Sequence, residues 1–214
     1  MTCAWSTECL AGIFRNLAAT VDANEQMLNE LDSTIGDAEH GLNLKRGFSI
    51  LMEKMDGFMA LEPAKFIKRM GTTLAGAGCG SGPIFYGLAI RAAGDSFEKT
   101  GVGDAVTVAA ALEAGLAAIK EKGGARVGDK TMVDAFEPAV LAFRAEADRG
   151  SGIADAFARA AEAAEIGMKA TTDMIGVKGR GFHAGERGLG HQDPGATSCR
   201  LLFASIAETL RSKT

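Results

Sequence analysis

Proline and aromatic residues are scarce in this chain: four prolines in 214 residues, and an aromatic share of 6% that includes a single Trp and a single Tyr. So little proline excludes a collagen-like or polyproline rod, and a hydrophobic content of 47% excludes a disordered tail. An excess of positive charge is also missing. The 23 Lys and Arg residues stand against 27 Asp and Glu, for a formal charge of -4 and a pI near 5.5. Such a balance leaves no electrostatic footprint for nucleic acid and no polybasic patch for a membrane, so neither is expected as a partner. No apolar run approaches the roughly eighteen residues of a transmembrane helix. The stretch from Met1 to Phe14 carries Glu8 and no basic residue before its apolar part, unlike a signal peptide. Four cysteines, Cys3, Cys9, Cys79 and Cys199, have neither metal-ligand spacing nor the density of a disulfide scaffold, so reduced thiols and a cytoplasmic protein are expected.

Glycine and alanine are abundant instead. There are 28 glycines, nearly double the usual share of about 7%, and 38 alanines. The hydrophobic period is helical almost throughout, as in Leu10, Ile13, Phe14, Leu17 and Val21, and again in Leu44, Phe48, Leu51, Met52 and Met55. Similar stripes follow at Phe66, Ile67, Met70 and Leu74, and at Cys199, Leu202, Phe203, Ile206 and Leu210. Residues 105 to 120 and 154 to 170 are rich enough in alanine for high helix propensity, and residues 105 to 108 are the best candidate for a strand. Pro63, Pro83 and Pro194 stand where apolar helical stripes begin, whereas Pro138 interrupts a stripe and predicts a kink or break. The expected fold is all-α: about eight helices in one antiparallel bundle or barrel, with residues 1 to 214 forming a single domain.

The glycines gather in four interhelical segments, which alternate loops of an antiparallel bundle would bring to one rim. The first, Gly36-Asp-Ala-Glu-His-Gly41, lies close behind Asp32 and presents three acids and a histidine. Acids at a helix end suit a hard divalent cation, but an acidic helix cap is the commoner meaning of such a turn. The second, Gly76-Ala-Gly-Cys-Gly-Ser-Gly-Pro83, leads into a helix, and its amides suit either a phosphate or close helix packing. The third runs from Gly123 to Lys130, ends in an acid and a base, and is followed by Thr131 as a candidate cap. The fourth, from Lys178 to Gly195, reads as a long structureless loop and carries Lys178, Arg180, His183, Arg187, His191 and Asp193. Jointly the four supply carboxylates for Mg²⁺, amides for phosphate and cations for developing charge, which is most of what phosphoryl transfer requires.

These motifs, in order and over almost the whole chain, resemble the nucleotide-binding L subunit of dihydroxyacetone kinases. The residues concerned are Leu31 to Gly41, Gly78 to Pro83, Gly128 to Asp134 with Pro138, and Gly185 to Arg187 through Gly190 to Ser198. The resemblance implies an eight-helix barrel with the nucleotide, ADP or ATP, at one end, and two Mg²⁺ ions on Asp32, Asp37 and Glu39. It places nucleotide contacts on His40, Gly41, Asn43, Gly80, Ser81, Gly123, Met132, Arg180, Asp193, Pro194 and Gly195, with Asp37 and Arg180 as the catalytic pair. It implies a ketone held on a separate K subunit, a phosphodonor protein of the phosphotransferase system in one branch of the family, and a homodimer as a further association. A nucleotide-bound adaptor without turnover, or a subunit of a related tetrose or ketose kinase, is the alternative. Two departures stand out: Glu39 where the family pattern has Asp, and Arg180-Gly-Phe-His-Ala-Gly-Glu-Arg-Gly188 where it has Arg-Ala-Ser-Tyr-Leu-Gly-Glu-Arg-Ser.

Overall fold

The structure, a computed structural model, describes residues 5–212. Ten α-helices follow in chain order: α1 (Thr7–Ala23), α2 (Glu25–Ile35), α3 (His40–Met55), α4 (Pro63–Ala75), α5 (Ser81–Thr100), α6 (Ala105–Gly123), α7 (Val133–Asp148), α8 (Ile153–Ala170), α9 (Gly181–Ala184) and α10 (Pro194–Arg211). No strand occurs among the described residues, so the fold is all-α as expected. The candidate strand at 105 to 108 is the first turn of α6, started by Asp104, whose carboxylate accepts the Thr107 N–H at 2.9 Å.

Eight rods account for most of this. Helices α1 and α2 are separated by Asn24 alone, and both pack on α3 and α10, so they act as one bent rod. The rods neighbour one another in the order α1 with α2, α3, α4, α5, α6, α7, α8 and α10, and α10 returns to α1 to close the ring. Inside the ring lie Leu28, Leu44, Phe48, Leu51, Phe66, Met70, Leu74, Ile119 and Phe143, all essentially inaccessible. Edge-on aromatic pairs, Phe143 with Phe157 at 4.7 Å and Phe136 with Phe203 at 5.3 Å, fill the side formed by α7, α8 and α10.

Glycines also sit inside helices, where the concentration in loops did not lead one to look. A Cβ on Gly71 would stand 2.2 Å from the Arg91 nitrogen, and one on Gly87 would stand 2.2 Å from the Ala75 nitrogen. Their absence lets α4 and α5 touch backbone to backbone. Pro138 does not break α7, which runs through it as one helix. Proline removes the bond to the carbonyl four residues back, here Asp134 near the helix start, and a Cβ at Gly167 of α8 would lie 1.9 Å from that same oxygen. The interruption is thus confined to one bond at a site of close helix contact. Cys79 and Cys199 are free thiols, but Cys9 is disulfide-bonded, against expectation; Cys3 lies outside the described residues.

Candidate functional site

Helices α3, α5, α7 and α10 begin, and α2 and α6 end, around one cleft at an end of the ring. Four helix N-termini therefore point their positive dipole ends toward the same space.

The acidic wall comes from the α2 to α3 turn. Asp32, 2% exposed, accepts the N–H groups of Glu39 at 3.0 Å and His40 at 3.2 Å, which ties the end of α2 to the start of α3. Burial, and then the hydrogen-bonded Asp37 carboxyl beside it, push Asp32 above the usual carboxylate range. Asp37 also forms a close ion pair with Arg180 across the cleft. Glu39 does not join the pair: it is exposed, and its carboxylate faces the Asn43 amide at 3.5 Å. Among the described residues, accordingly, no three His, Cys, Asp or Glu side chains converge as a ready cation cage.

His40 opens α3 and lines the cleft. Its Nε2 lies 2.9 Å from Ser198 Oγ, which lies 2.7 Å from the hydroxyl of Tyr86, the chain's one tyrosine. Burial, reinforced by the Arg180 charge and opposed by Asp37, lowers the imidazole to about 4, so it is neutral at physiological pH. Asn43, Ser81 and Gly82 complete this side. Gly41 and Gly80 do not line the cleft. A Cβ on Gly41 would overlap the Glu25 carbonyl at 2.1 Å, making it a contact between α2 and α3, and Gly80 supplies the φ of +81° that starts α5 beside Asn43.

Gly123, Ala125, Thr131, Met132 and Val133 form the apolar floor together with Ile35, Phe85 and Ile119. Asp134 organises this segment, accepting the N–H groups of Gly128 at 2.6 Å and Thr131 at 2.7 Å. Lys130 is 1% exposed and has φ +59°, a conformation that disfavours an L residue by roughly 1–2 kcal/mol. Its Nζ donates to the carbonyls of Thr171 at 2.6 Å, Met174 at 3.1 Å, Gly188 at 2.8 Å and His191 at 2.6 Å.

Those four carbonyls belong to the fourth glycine segment and its approach. The segment is not structureless: it contains α9 and a 3₁₀ turn at Gly185–Gly188. Lys178, Gly179, Arg180 and Gly181 face the cleft, as do Asp193, Pro194 and Gly195 at the start of α10. Asp193 caps α10 by accepting the Ala196 N–H at 2.6 Å. Burial pushes its carboxyl up to about 7 against the pull of that hydrogen bond. His183, Arg187 and His191 face outward rather than into the cleft. Of the residues singled out from the sequence, Asp32, Asp37, His40, Asn43, Ser81, Gly123, Met132, Arg180, Asp193, Pro194 and Gly195 thus share one cleft. Lys130 also lines the cleft, and Tyr86 and Ser198 stand behind His40; none of the three was expected in these places, and only their neighbourhood within the motifs pointed to Lys130 and Ser198.

An all-α ring whose glycine-built mouth sets the buried Asp32 and the exposed Asp37 against Lys178, Arg180 and four helix N-termini defines the class: a helical-ring domain with one polar cleft at an end. The chain belongs to the DAK2 domain family, the family of the DhaL subunits of dihydroxyacetone kinases, and residues 34–208 match the family model. It is similar to the ADP-binding subunit DhaL of PEP-dependent dihydroxyacetone kinase 1 from Listeria innocua, with 36% identity over 193 residues covering 88% of this chain and 89% of the relative. The corresponding Escherichia coli K12 subunit is 34% identical over 207 residues, 95% of this chain and 93% of the relative. The dihydroxyacetone kinase from C. freundii, solved with AMP-PNP and Mg²⁺, superposes with a TM-score of 0.73 at 28% identity over 92% of this chain, which spans 33% of that longer chain. No helix among the described residues is long and apolar enough to cross a membrane.

Proposed function

We propose that this chain is the nucleotide-binding subunit of a cytoplasmic kinase, a single domain that holds ADP or ATP with Mg²⁺ and passes a phosphoryl group to dihydroxyacetone or a related ketose on a separate K subunit. The observation that carries the reading is the opposition of the Asp32 and Asp37 carboxyls to Arg180 and Lys178 across a cleft ringed by helix N-termini. Two adjacent carboxylates repel unless a proton or a cation lies with them, and the elevated Asp32 is the protonic form of that demand. The donor set fits hard divalent cations: Asp32 and Asp37, with the exposed Glu39 beside them, would hold two Mg²⁺ ions. When bound, Mg²⁺ supplies charge neutralisation for phosphate oxygens.

The chain's own residues do the rest. The amides around Ser81 and Gly195 and the neutral His40 imidazole would serve the phosphates, and Met132, Gly123 and the apolar floor would shelter the base. Arg180, held at the cleft opposite Asp37, would offer its guanidinium to the charge that develops on the transferred group. Gly41 and Gly80 act through backbone placement rather than contact. Val127, Ile175, Val177, Phe182 and Leu189 are 42–61% exposed on the segments around the mouth and supply an apolar collar for the K subunit. A phosphodonor protein of the phosphotransferase system, and a second copy of the chain, are further partners under this reading.

The position of Glu39 outside the acid pair favours a second reading, an adaptor that keeps its nucleotide without turnover. Native mass spectrometry of the purified chain, before and after incubation with ATP, dihydroxyacetone and a K subunit, separates the two. Bound nucleotide with phosphorylated ketose supports the kinase, and bound nucleotide alone supports the adaptor. Asp37→Asn is expected to abolish transfer while the helical circular dichroism stays unchanged; full activity in that variant would sink the proposal.

A further inference from the structure

Between Thr171 and His191 the chain leaves the ring, carries Arg180 to the cleft and returns. The carbonyls that Lys130 Nζ gathers come in two pairs, Thr171 and Met174 on the outgoing strand of this excursion, Gly188 and His191 on the returning one. The Gly190 N–H bonds the Thr172 carbonyl at 2.9 Å across the same neck, and the Val177 N–H bonds the Asp129 carbonyl at 3.2 Å. The excursion is thus an Ω-shaped loop whose ends meet at one buried ammonium.

Three features indicate that the side chain, rather than its backbone, is what position 130 requires. Its left-handed φ is one that glycine adopts without strain, yet a lysine is there. The ammonium has three N–H donors and faces four acceptors, all of them main-chain oxygens, a coordination shell of the kind that carbonyls offer to a bare monovalent cation. Burial holds the ammonium below its ordinary value, and the nearby carboxyls of Asp193, Asp134 and Asp173 oppose that shift, so the four-carbonyl shell rather than the surrounding charge is what marks the position.

We infer that Lys130 is a positioning residue, an internal cation that closes the neck of the Thr171 to His191 loop and so fixes Arg180 opposite Asp37. Without the charge the four carbonyls turn toward one another with no donor between them. The neck opens, and the loop bearing Arg180 samples conformations that do not face the cleft.

The inference rests on the proposed nucleotide site for its functional consequence but not for its structural one, and the experiment keeps them apart. In nucleotide-free protein, Lys130→Met is expected to speed amide hydrogen exchange in residues 172 to 192 by on the order of tenfold or more, with α4 and α5 unchanged. Lys130→Ala is expected to behave likewise and to regain protection in methylammonium, which brings a small N–H-donating cation to the vacated shell, but not in tetramethylammonium, which has no N–H. Unchanged exchange in Lys130→Met, or no difference between the two salts, overturns the inference. Should either variant fail to fold, the wild-type chain decides: its Lys130 ammonium protons must be seen by ¹⁵N NMR as slowly exchanging with water, and their absence overturns it equally. ADP with Mg²⁺ then reads the consequence by calorimetry. Lys130→Met weakens binding in the wild-type background and adds nothing in Arg180→Ala, whereas additive losses show that Lys130 does not act through Arg180. If the wild type itself binds no ADP with Mg²⁺, the functional proposal fails while the exchange result stands.

Discussion

Asp193→Asn isolates the energetic consequence of burying a carboxyl at the start of α10. The substitution keeps an oxygen that accepts the Ala196 N–H, so the helix cap survives, and removes only the ionisation. In the folded chain this carboxyl titrates at about 7, against an ordinary 3.8. A folded value above the unfolded one means that the folded state holds the proton more tightly between those limits. The contribution to stability is therefore full below pH 3.8 and is lost as the pH rises through 7. A gap of about three units, at roughly 1.4 kcal/mol each, amounts to about 4 kcal/mol. Urea unfolding of both proteins, free of nucleotide and metal, across about pH 4 to 8 should show the variant gaining on the wild type by that order as the pH rises. Taking the difference removes groups common to both, including His40, whose lowered value has the opposite sign and withdraws stability as the pH falls from 6.5 toward 4. A stability difference independent of pH would refute the argument, because it would mean that the site is wet enough to ionise Asp193 normally.

Other perturbations test the packing and the polar chain behind the cleft. Gly87→Ala should destabilise the protein by about 1–3 kcal/mol in thermal melts, although alanine is the better helix former by roughly 1 kcal/mol, because its Cβ would meet the Ala75 backbone. Gly57→Ala, where a Cβ meets nothing within 4 Å, is the control and should be neutral or stabilising. Ser198→Ala removes the oxygen between the His40 imidazole and the Tyr86 hydroxyl, taking that bond from both and leaving the hydroxyl the Gly195 carbonyl at 3.4 Å. A loss of about 1–3 kcal/mol in chemical denaturation is expected, and wild-type stability would show that the three groups do not act together.

The sequence displayed some layers of this structure openly and hid others. Apolar stripes at three- and four-residue steps gave the rods, and Pro63 and Pro194 marked helix starts, because both signals are local. The four glycine segments were legible as a rim for the same reason, and most of the residues they single out do share one cleft. What periodicity could not show was contact between distant helices. Gly71, Gly87 and Gly167 look like flaws in helices until the partner backbone is placed against them, and Pro138 reads as a break until Asp134 is seen at the helix start. Glu39 is close in sequence to Asp32 and Asp37, yet its side chain lies apart from them, because Asp32 is engaged by the amides that begin α3 and Asp37 by Arg180. The role of Lys130 depends on four carbonyls 41 to 61 residues away, which no local pattern encodes.

That Lys130 holds only main-chain oxygens has a consequence for how such a domain diversifies. Every residue type carries a carbonyl, so the anchor is blind to the side chains between its two attachment points. The exposed Phe182 and His183 can be exchanged for other residues without loosening the neck, since neither is part of the grip. Recognition and attachment are thereby uncoupled within one segment: the outward face is open to change with each new partner, while the point that aims Arg180 stays where it is.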